Sequence, residues 1–258
     1  MKDIKKLAAA TASVDDGPAM PAMRRGRPPK GNAAEGRKKL LVAAITLFSE
    51  QGPDSVSTRQ LAQAAGVNLS AITYHFGGKD ALYEAAIRQA IDDLAPRRQM
   101  LINYLETILR ETDGDQKALA KAIGSFVKAF FAVLVKDDFP LTTIRLLMRE
   151  LHHPTTAFSQ VIDQHIDPVQ DAIARLAAVA TNCDVSDPQV RLLGLSVTSQ
   201  IFMLGIMRPV VLSRMGWSDY SADNANTVIK LTTTSILRLL GLPENIDRFE
   251  DNDELSES

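Results

Sequence analysis

Residues 58–79, TRQLAQAAGVNLSAITYHFGGK, constrain the chain most, because they specify two short helices meeting at one tight reversal. Gly66 stands where the chain must turn back, and glycine takes the positive φ of such a turn at little cost. Ala62 is small where the first helix, about Thr58 to Ala65, must admit the second. Leu61, Ala65, Val67 and Ile72 supply apolar contacts that lock the pair at a steep angle, and Asn68 or Ser70 can cap the second helix. The face left over carries Ser70, Thr73, Tyr74 and His75, side chains suited to base edges and phosphates. A plain packing turn produces the same AAG pattern. It has no use for the YHFGGK ending, which gathers an aromatic, a histidine and a lysine just past the short helix.

At 258 residues there is room for one small and one larger domain, each with its own core. Hydrophobic content of 45% with few aromatics, rich in Leu, Ala and Ile, favours an all-α fold. One cysteine, Cys183, excludes a disulfide framework and reads as a small core or surface residue. The apolar stretch after the basic start MKDIKKLAAATASV is too short for a secretory signal, and no later run is expected to span a bilayer. A cytoplasmic protein without a membrane anchor is the expectation.

The net charge of −2 hides a polarised chain. Ten basic residues precede Leu40 (Lys2, Lys5, Lys6, Arg24, Arg25, Arg27, Lys30, Arg37, Lys38 and Lys39), and the stretch after Gly241 is acidic. Residues 1–34 are rich in Ala, Gly, Pro and charge and show no helical period, so they are expected to be a disordered basic arm. Within them RRGRPPK, Arg24 to Lys30, resembles an AT-hook, in which Arg25 and Arg27 would lie along the narrow minor groove of A·T-rich DNA. A merely solvated basic linker is the alternative.

The rest reads as helices. Leu41, Ala44, Ile45 and Phe48 form one apolar stripe on a helix from about Ala34 to Gln51, ended by Gly52 and Pro53, with Ser57 or Thr58 capping the next. A fourth helix is expected from Lys79 to about Leu94, stopping before Pro96, with Leu82, Tyr83, Ala86, Ile87 and Ile91 facing inward. Later helices are expected over 97–112, 115–136, 139–152, 155–181, 187–213 and 222–240, with Pro168 and Pro209 kinking or splitting theirs. The domains are therefore a basic arm (1–34), a three-helix reader with its linking helix (35–94), a larger helical body (95–242) and an acidic tail (243–258).

LFSEQG at the end of the first helix, STRQLAQAAGV and YHFGGKDALY are the residues by which the segment from Arg37 to Ile91 resembles the TetR-family DNA-binding domain. RELHHP (149–154), HIDPV (165–169) and LSRMGWSDYSADN (212–224) are similar to the C-terminal ligand domain of the CerR/CecR (YbiH-like) subgroup, over about Phe139 to Leu242. The resemblance implies an all-α protein with an N-terminal helix-turn-helix domain followed by a ligand-binding and dimerisation domain. It implies that Thr58 binds phosphate, that Arg59, Ser70 and Thr73 read base edges, and that Asn68 sits at the start of the recognition helix. Tyr74 and His75 would hold phosphates, and Lys79 would clamp the DNA backbone. Leu69 departs from the family pattern, standing where several relatives place a polar contact.

The expected partners are a double-stranded, palindromic DNA operator, a second copy of the chain and a small-molecule effector. Leu192, Leu195, Ile201, Val228, Leu231, Ile236 and Leu239 are candidates for a four-helix dimer interface, or for core. Met100, Tyr104, Phe126, Phe130, Met148, Phe158, Phe202, Met203, Met207 and Trp217 are candidates for lining a ligand pocket, with Arg145 and Arg149 as pocket cations; the alternative is again ordinary core or solvent. No cofactor is implied. His152, His153 and His165 lack a cysteine and a tetrahedral spacing, which disfavours a metal site, and no catalytic constellation is present. A ligand-released repressor is the reading. An architectural or activating DNA binder that works through the basic arm without ligand control is the alternative.

Overall fold

The computed structural model describes residues 30–136 and 139–244. Arg25, Arg27 and the acidic tail from residue 245 onward lie outside them. Among the described residues the regular structure is helical throughout. In chain order the helices are α1 (Lys30–Gln51), α2 (Thr58–Ala65), α3 (Ser70–Phe76), α4 (Lys79–Thr112), α5 (Gln116–Leu134), α6 (Leu141–His152) and α7 (Phe158–Val161). A π-helical turn, Ile162–Ile166, leads into α8 (Asp167–Thr181), followed by α9 (Pro188–Ile206), α10 (Arg208–Met215) and α11 (Ala222–Leu239).

The all-α expectation holds, with three differences. α1 begins at Lys30 rather than Ala34, so the last residues assigned to the arm belong to the helix. α4 does not stop before Pro96 but runs through it to Thr112. A proline inside a helix costs about 3 kcal/mol, whereas each fully buried aliphatic side chain contributes about 1.5–3 kcal/mol. Ile91 and Leu94 before the proline, and Leu105 and Ile108 after it, are all buried, so packing outweighs the missing N–H. The third difference is α9, which by length and composition alone could cross a membrane, with a mean hydropathy of 1.3. One such helix is a weak sign on its own; α9 packs on α8, α5 and α11, with 28% of that stretch buried inside the chain.

Both remaining prolines act as expected. Pro168 opens α8 just after the π turn, and Pro209 opens α10, separated from α9 by Met207. Two apolar clusters result. The first joins α1, α2, α3 and the first half of α4 with Leu146 and Leu147 of α6. The second joins the far half of α4 with α5, α8, α9 and α11. Phe139 and Phe202 pack against both, so α4 is the strut between the clusters and α6 belongs to the reader's side.

Candidate nucleic-acid interface

Ser57 starts α2 with a capping box: its hydroxyl accepts from Gln60 N at 3.2 Å, while Gln60 Oε1 accepts from Ser57 N at 2.8 Å. Removing such a cap costs about 1 kcal/mol. Thr58 thus becomes the first helical residue, half-buried, with Arg59 exposed beside it. Gly66 (φ 64°) closes α2, and Val67 N reaches back to Ala62 O at 3.0 Å. Leu61 and Ile72 are fully buried across the turn.

Neither Asn68 nor Ser70 caps α3. Leu69 holds the cap position in helical geometry without a side-chain bond, so the polar groups on either side stay uncommitted. Asn68, Ser70, Thr73 and Tyr74 are all exposed, Tyr74 at 69%. Leu69, half exposed, sits among them. His75 is half-buried: its Nε2 lies 3.6 Å from where a Cβ on Gly36 would stand, which turns it toward α1. Phe76 packs on the first cluster beneath the Arg37 guanidinium, 5.1 Å from its ring centre. Lys79 Nζ donates to Pro53 O at 2.8 Å and so holds the loop before α2. That leaves two of its protons for a phosphate.

The candidate pocket residues do not converge. Tyr104, exposed, stacks on Phe126 at 6.2 Å, and Phe126 meets Phe130 in a tilted pair at 5.7 Å; those two phenylalanines belong to the second cluster, whereas Met148 packs on the first. Phe202 bridges the two, Phe158 is half-buried at the start of α7, and Trp217 meets Tyr220 at 6.4 Å. Met100, Met203 and Met207 are exposed in the single chain. An open groove of about 740 Å³ lies instead between α1 and α2, floored by Val42, Ala43 and Leu47. Arg145 is exposed, and Arg149 packs its guanidinium against Gly52. Among the described residues no three His, Cys, Asp or Glu side chains gather as metal ligands would.

The interface candidates divide cleanly. Leu192, Leu195, Leu231 and Leu239 are exposed, while Ile201, Val228 and Ile236 are core. Ser196 and Ser199, one turn beyond Leu192 and Leu195, turn their hydroxyls back onto Leu192 O and Leu195 O, at 2.9 and 2.8 Å.

Sequence reasoning missed a junction between the reader and α6. Glu150, fully buried, accepts from Tyr83 Oη at 2.7 Å and from Thr155 N at 2.7 Å. Burial and the Glu150 hydrogen bond push the Tyr83 hydroxyl well above its ordinary value. A carboxylate on the apolar face of α6, between Leu146 or Leu147 and Thr155, was the available signal.

Residues 40–86 match the model of bacterial regulatory proteins of the tetR family. Residues 119–241 match that of the C-terminal domain of the HTH-type transcriptional dual regulator CecR. The CecR protein of Shigella flexneri is 29% identical over 216 residues, 83% of this chain and 95% of that one. The HTH-type transcriptional regulator AcrR of Shigella flexneri is 34% identical over 101 residues, 33% of this chain and 47% of that one. Among solved structures, a candidate fatty acid metabolism regulator of Clostridium perfringens superposes with a TM-score of 0.53 at 17% identity, covering 78% of this chain and 97% of that one. A candidate transcriptional regulator of Pseudomonas aeruginosa PAO1 gives 0.53 at 17%, covering 83% and 93%.

Proposed function

The chain is a DNA-binding transcriptional regulator of the TetR family, in the CecR subgroup by its C-terminal half, and from that premise we propose that it is a homodimeric repressor released from its operator by a small molecule. The observation that carries the dimer is the uncovered apolar stripe of Leu192, Leu195 and Met203 on α9 with Leu231 and Leu239 on α11. A two-fold axis through that stripe would pair two α3 helices, and such readers take half-sites one DNA turn apart, about 34–36 Å. At each half-site Arg59, Ser70 and Thr73 read base edges. Thr58, Tyr74, His75 and Lys79 position α3 on phosphate, Asn68 stands at its start, and the arm adds Arg25 and Arg27 in the minor groove. The regulator works in the cytoplasm, where its operator lies.

Ligand control would act through α4, which is shared by the reader's cluster and the body's. A ligand that fits better in the body when the two readers are wrongly spaced draws the population to that state. The relative in Shigella flexneri is named a dual regulator, which favours testing activation alongside repression.

Genomic fragments selected on the purified dimer supply the operator for fluorescence anisotropy, with random DNA as the control at physiological salt. The expected result is operator preference of at least ~10³-fold. Equal binding of both sinks sequence-specific regulation. Removing residues 1–29 should weaken both DNAs but keep the preference, whereas loss of most binding would favour the architectural alternative.

A further inference from the structure

We propose that Arg98 and His165 form an anion site between α4 and the π turn, and that the effector is a small organic carboxylate with an apolar body; this rests on the ligand-controlled reading above. The guanidinium of Arg98 is half-buried, yet its bonds are long and go to uncharged acceptors, Ile91 O at 3.4 Å and His165 Nδ1 at 3.3 Å. Arginine offers five donors in a planar fork that matches a carboxylate. Among the described residues no carboxylate pairs with Arg98. Acidic side chains do lie nearby in sequence, Asp92 and Asp93 on α4, Asp163 on the π turn and Asp167 on α8, and all are exposed.

His165 completes the donor set. Burial, and then the Arg98 charge, hold its imidazole down to about 4, so it is neutral at ordinary pH. With Nδ1 accepting from Arg98, its proton stands on Nε2, a second donor beside the guanidinium. A half-buried spot carrying one positive charge that no carboxylate pairs favours an anion.

The backbone on both sides is irregular at this level. Pro96 interrupts the hydrogen-bond ladder of α4 less than one turn before Arg98, and Ile162–Ile166 across from it takes the wider π form. π turns of this kind occur often at functional sites. The pair also stands near the seam of the molecule. Ile166, next to His165, packs on the first cluster, whereas Leu101 and Ile102, one turn beyond Arg98, pack on the second. The apolar body of the ligand would enter that seam, which Phe202 also spans by packing against both clusters. A ligand lodged there presses on α4 at its weakest point.

The test uses the full-length dimer with sodium octanoate and sodium benzoate as probes, and octanol and benzyl alcohol as their uncharged counterparts. Calorimetric titration should show both acids binding and both alcohols binding at least tenfold more weakly. Arg98→Gln should weaken the acids by about ten- to hundredfold, and Arg98→Lys, which keeps the charge and loses the fork, by less. At pH 7 the acids should shift the His165 ring resonance of the unaltered protein and leave those of His75, His152 and His153 in place. The site is overturned if the alcohols bind as well as the acids, if Arg98→Gln binds the acids unchanged, or if neither acid moves the His165 resonance. A neutral compound that releases operator DNA from both the unaltered and the Arg98→Gln dimer overturns the carboxylate effector and leaves ligand control standing. Octanoate bound at Arg98 with operator affinity unchanged upholds the anion site and overturns release.

Discussion

Tyr83 on α4 donates its phenolic proton to Glu150 on α6 at 2.7 Å, in a contact where the carboxylate is wholly buried. The other oxygen of Glu150 accepts from the Thr155 backbone N–H at 2.7 Å, and the Thr155 hydroxyl is shared between the two oxygens at 2.9 and 3.1 Å. One carboxylate thus ties the linking helix to the end of α6 and to the turn after it. Tyr83→Phe removes one donor and leaves a buried oxygen short of a partner, so unfolding free energy should fall by about 1–3 kcal/mol. Urea melts followed by circular dichroism measure it, with Tyr83→Phe/Glu150→Gln closing a double-mutant cycle. A coupling near zero would mean that the pair does not join the helices.

Gly52 ends α1 at φ 82°, and a Cβ there would stand 2.7 Å from Arg149 Nη2. Gly52→Ala therefore meets two obstacles, a left-handed backbone costing about 1–2 kcal/mol and a guanidinium that must leave. Combining it with Arg149→Ala removes the second and leaves the first. The double variant should be less destabilised than the sum of the single ones, and strict additivity in the same melts would show that Arg149 does not press on the loop.

Much of the reader was legible because its physics is local. The capping box at Ser57, the left-handed Gly66 and the Leu61–Ile72 contact all act within a few residues of one another. The cap of α3 was not legible, since Leu69 holds that position by backbone geometry alone. Pro96 misled for the opposite reason: its local cost is real, but the burial that outweighs it comes from α1 and α6 on one side and α5 and α8 on the other, remote in sequence. The division of Leu192, Leu195, Leu231 and Leu239 from Ile201, Val228 and Ile236 needed the same remote partners. Glu150 and Arg98 stayed hidden, and His165 was weighed only as a metal ligand, because a polar side chain's meaning depends on which helix faces it.

Thr73 and Lys79 should fail differently on DNA. Thr73 is exposed on the outer face of α3, so Thr73→Ala should narrow the gap between operator and mismatched sites, by about 1–3 kcal/mol at the bases it reads. Lys79→Ala should weaken every DNA alike and flatten the dependence of log affinity on log salt by about 0.9 if one phosphate is lost. Its amine also holds Pro53 O, so the loop before α2 should loosen as well, visible as faster amide exchange at residues 54–57. An unchanged salt slope together with faster exchange would assign Lys79 to the loop alone.

Leu231, at 71% exposure, is the most exposed leucine on the proposed dimer face. Leu231→Glu would place two like charges close to the two-fold axis, where desolvation adds to repulsion. Sedimentation should show a monomer with unchanged helicity, and operator binding should weaken because two linked readers become two separate ones. A dimer that survives both Leu231→Glu and Leu192→Glu would place the interface elsewhere.

The His165 imidazole should make stability depend on acid. In the unfolded chain it takes a proton below about pH 6.5; in the fold, burial and Arg98 delay this to about pH 4. Between those values the unfolded state holds more protons, so stability rises with pH across the window. The contribution is complete above pH 6.5 and lost as the pH falls through 4. His165→Gln keeps an acceptor for Arg98 and cannot charge, so its urea midpoint should fall less steeply between pH 6.5 and 4 than that of the unaltered protein. Parallel slopes would mean that His165 is hydrated in solution and that its contact with Arg98 is not closed to water. A carboxylate bound beside Arg98 should itself reduce the slope of the unaltered protein, because a negative neighbour lets His165 accept its proton at a higher pH.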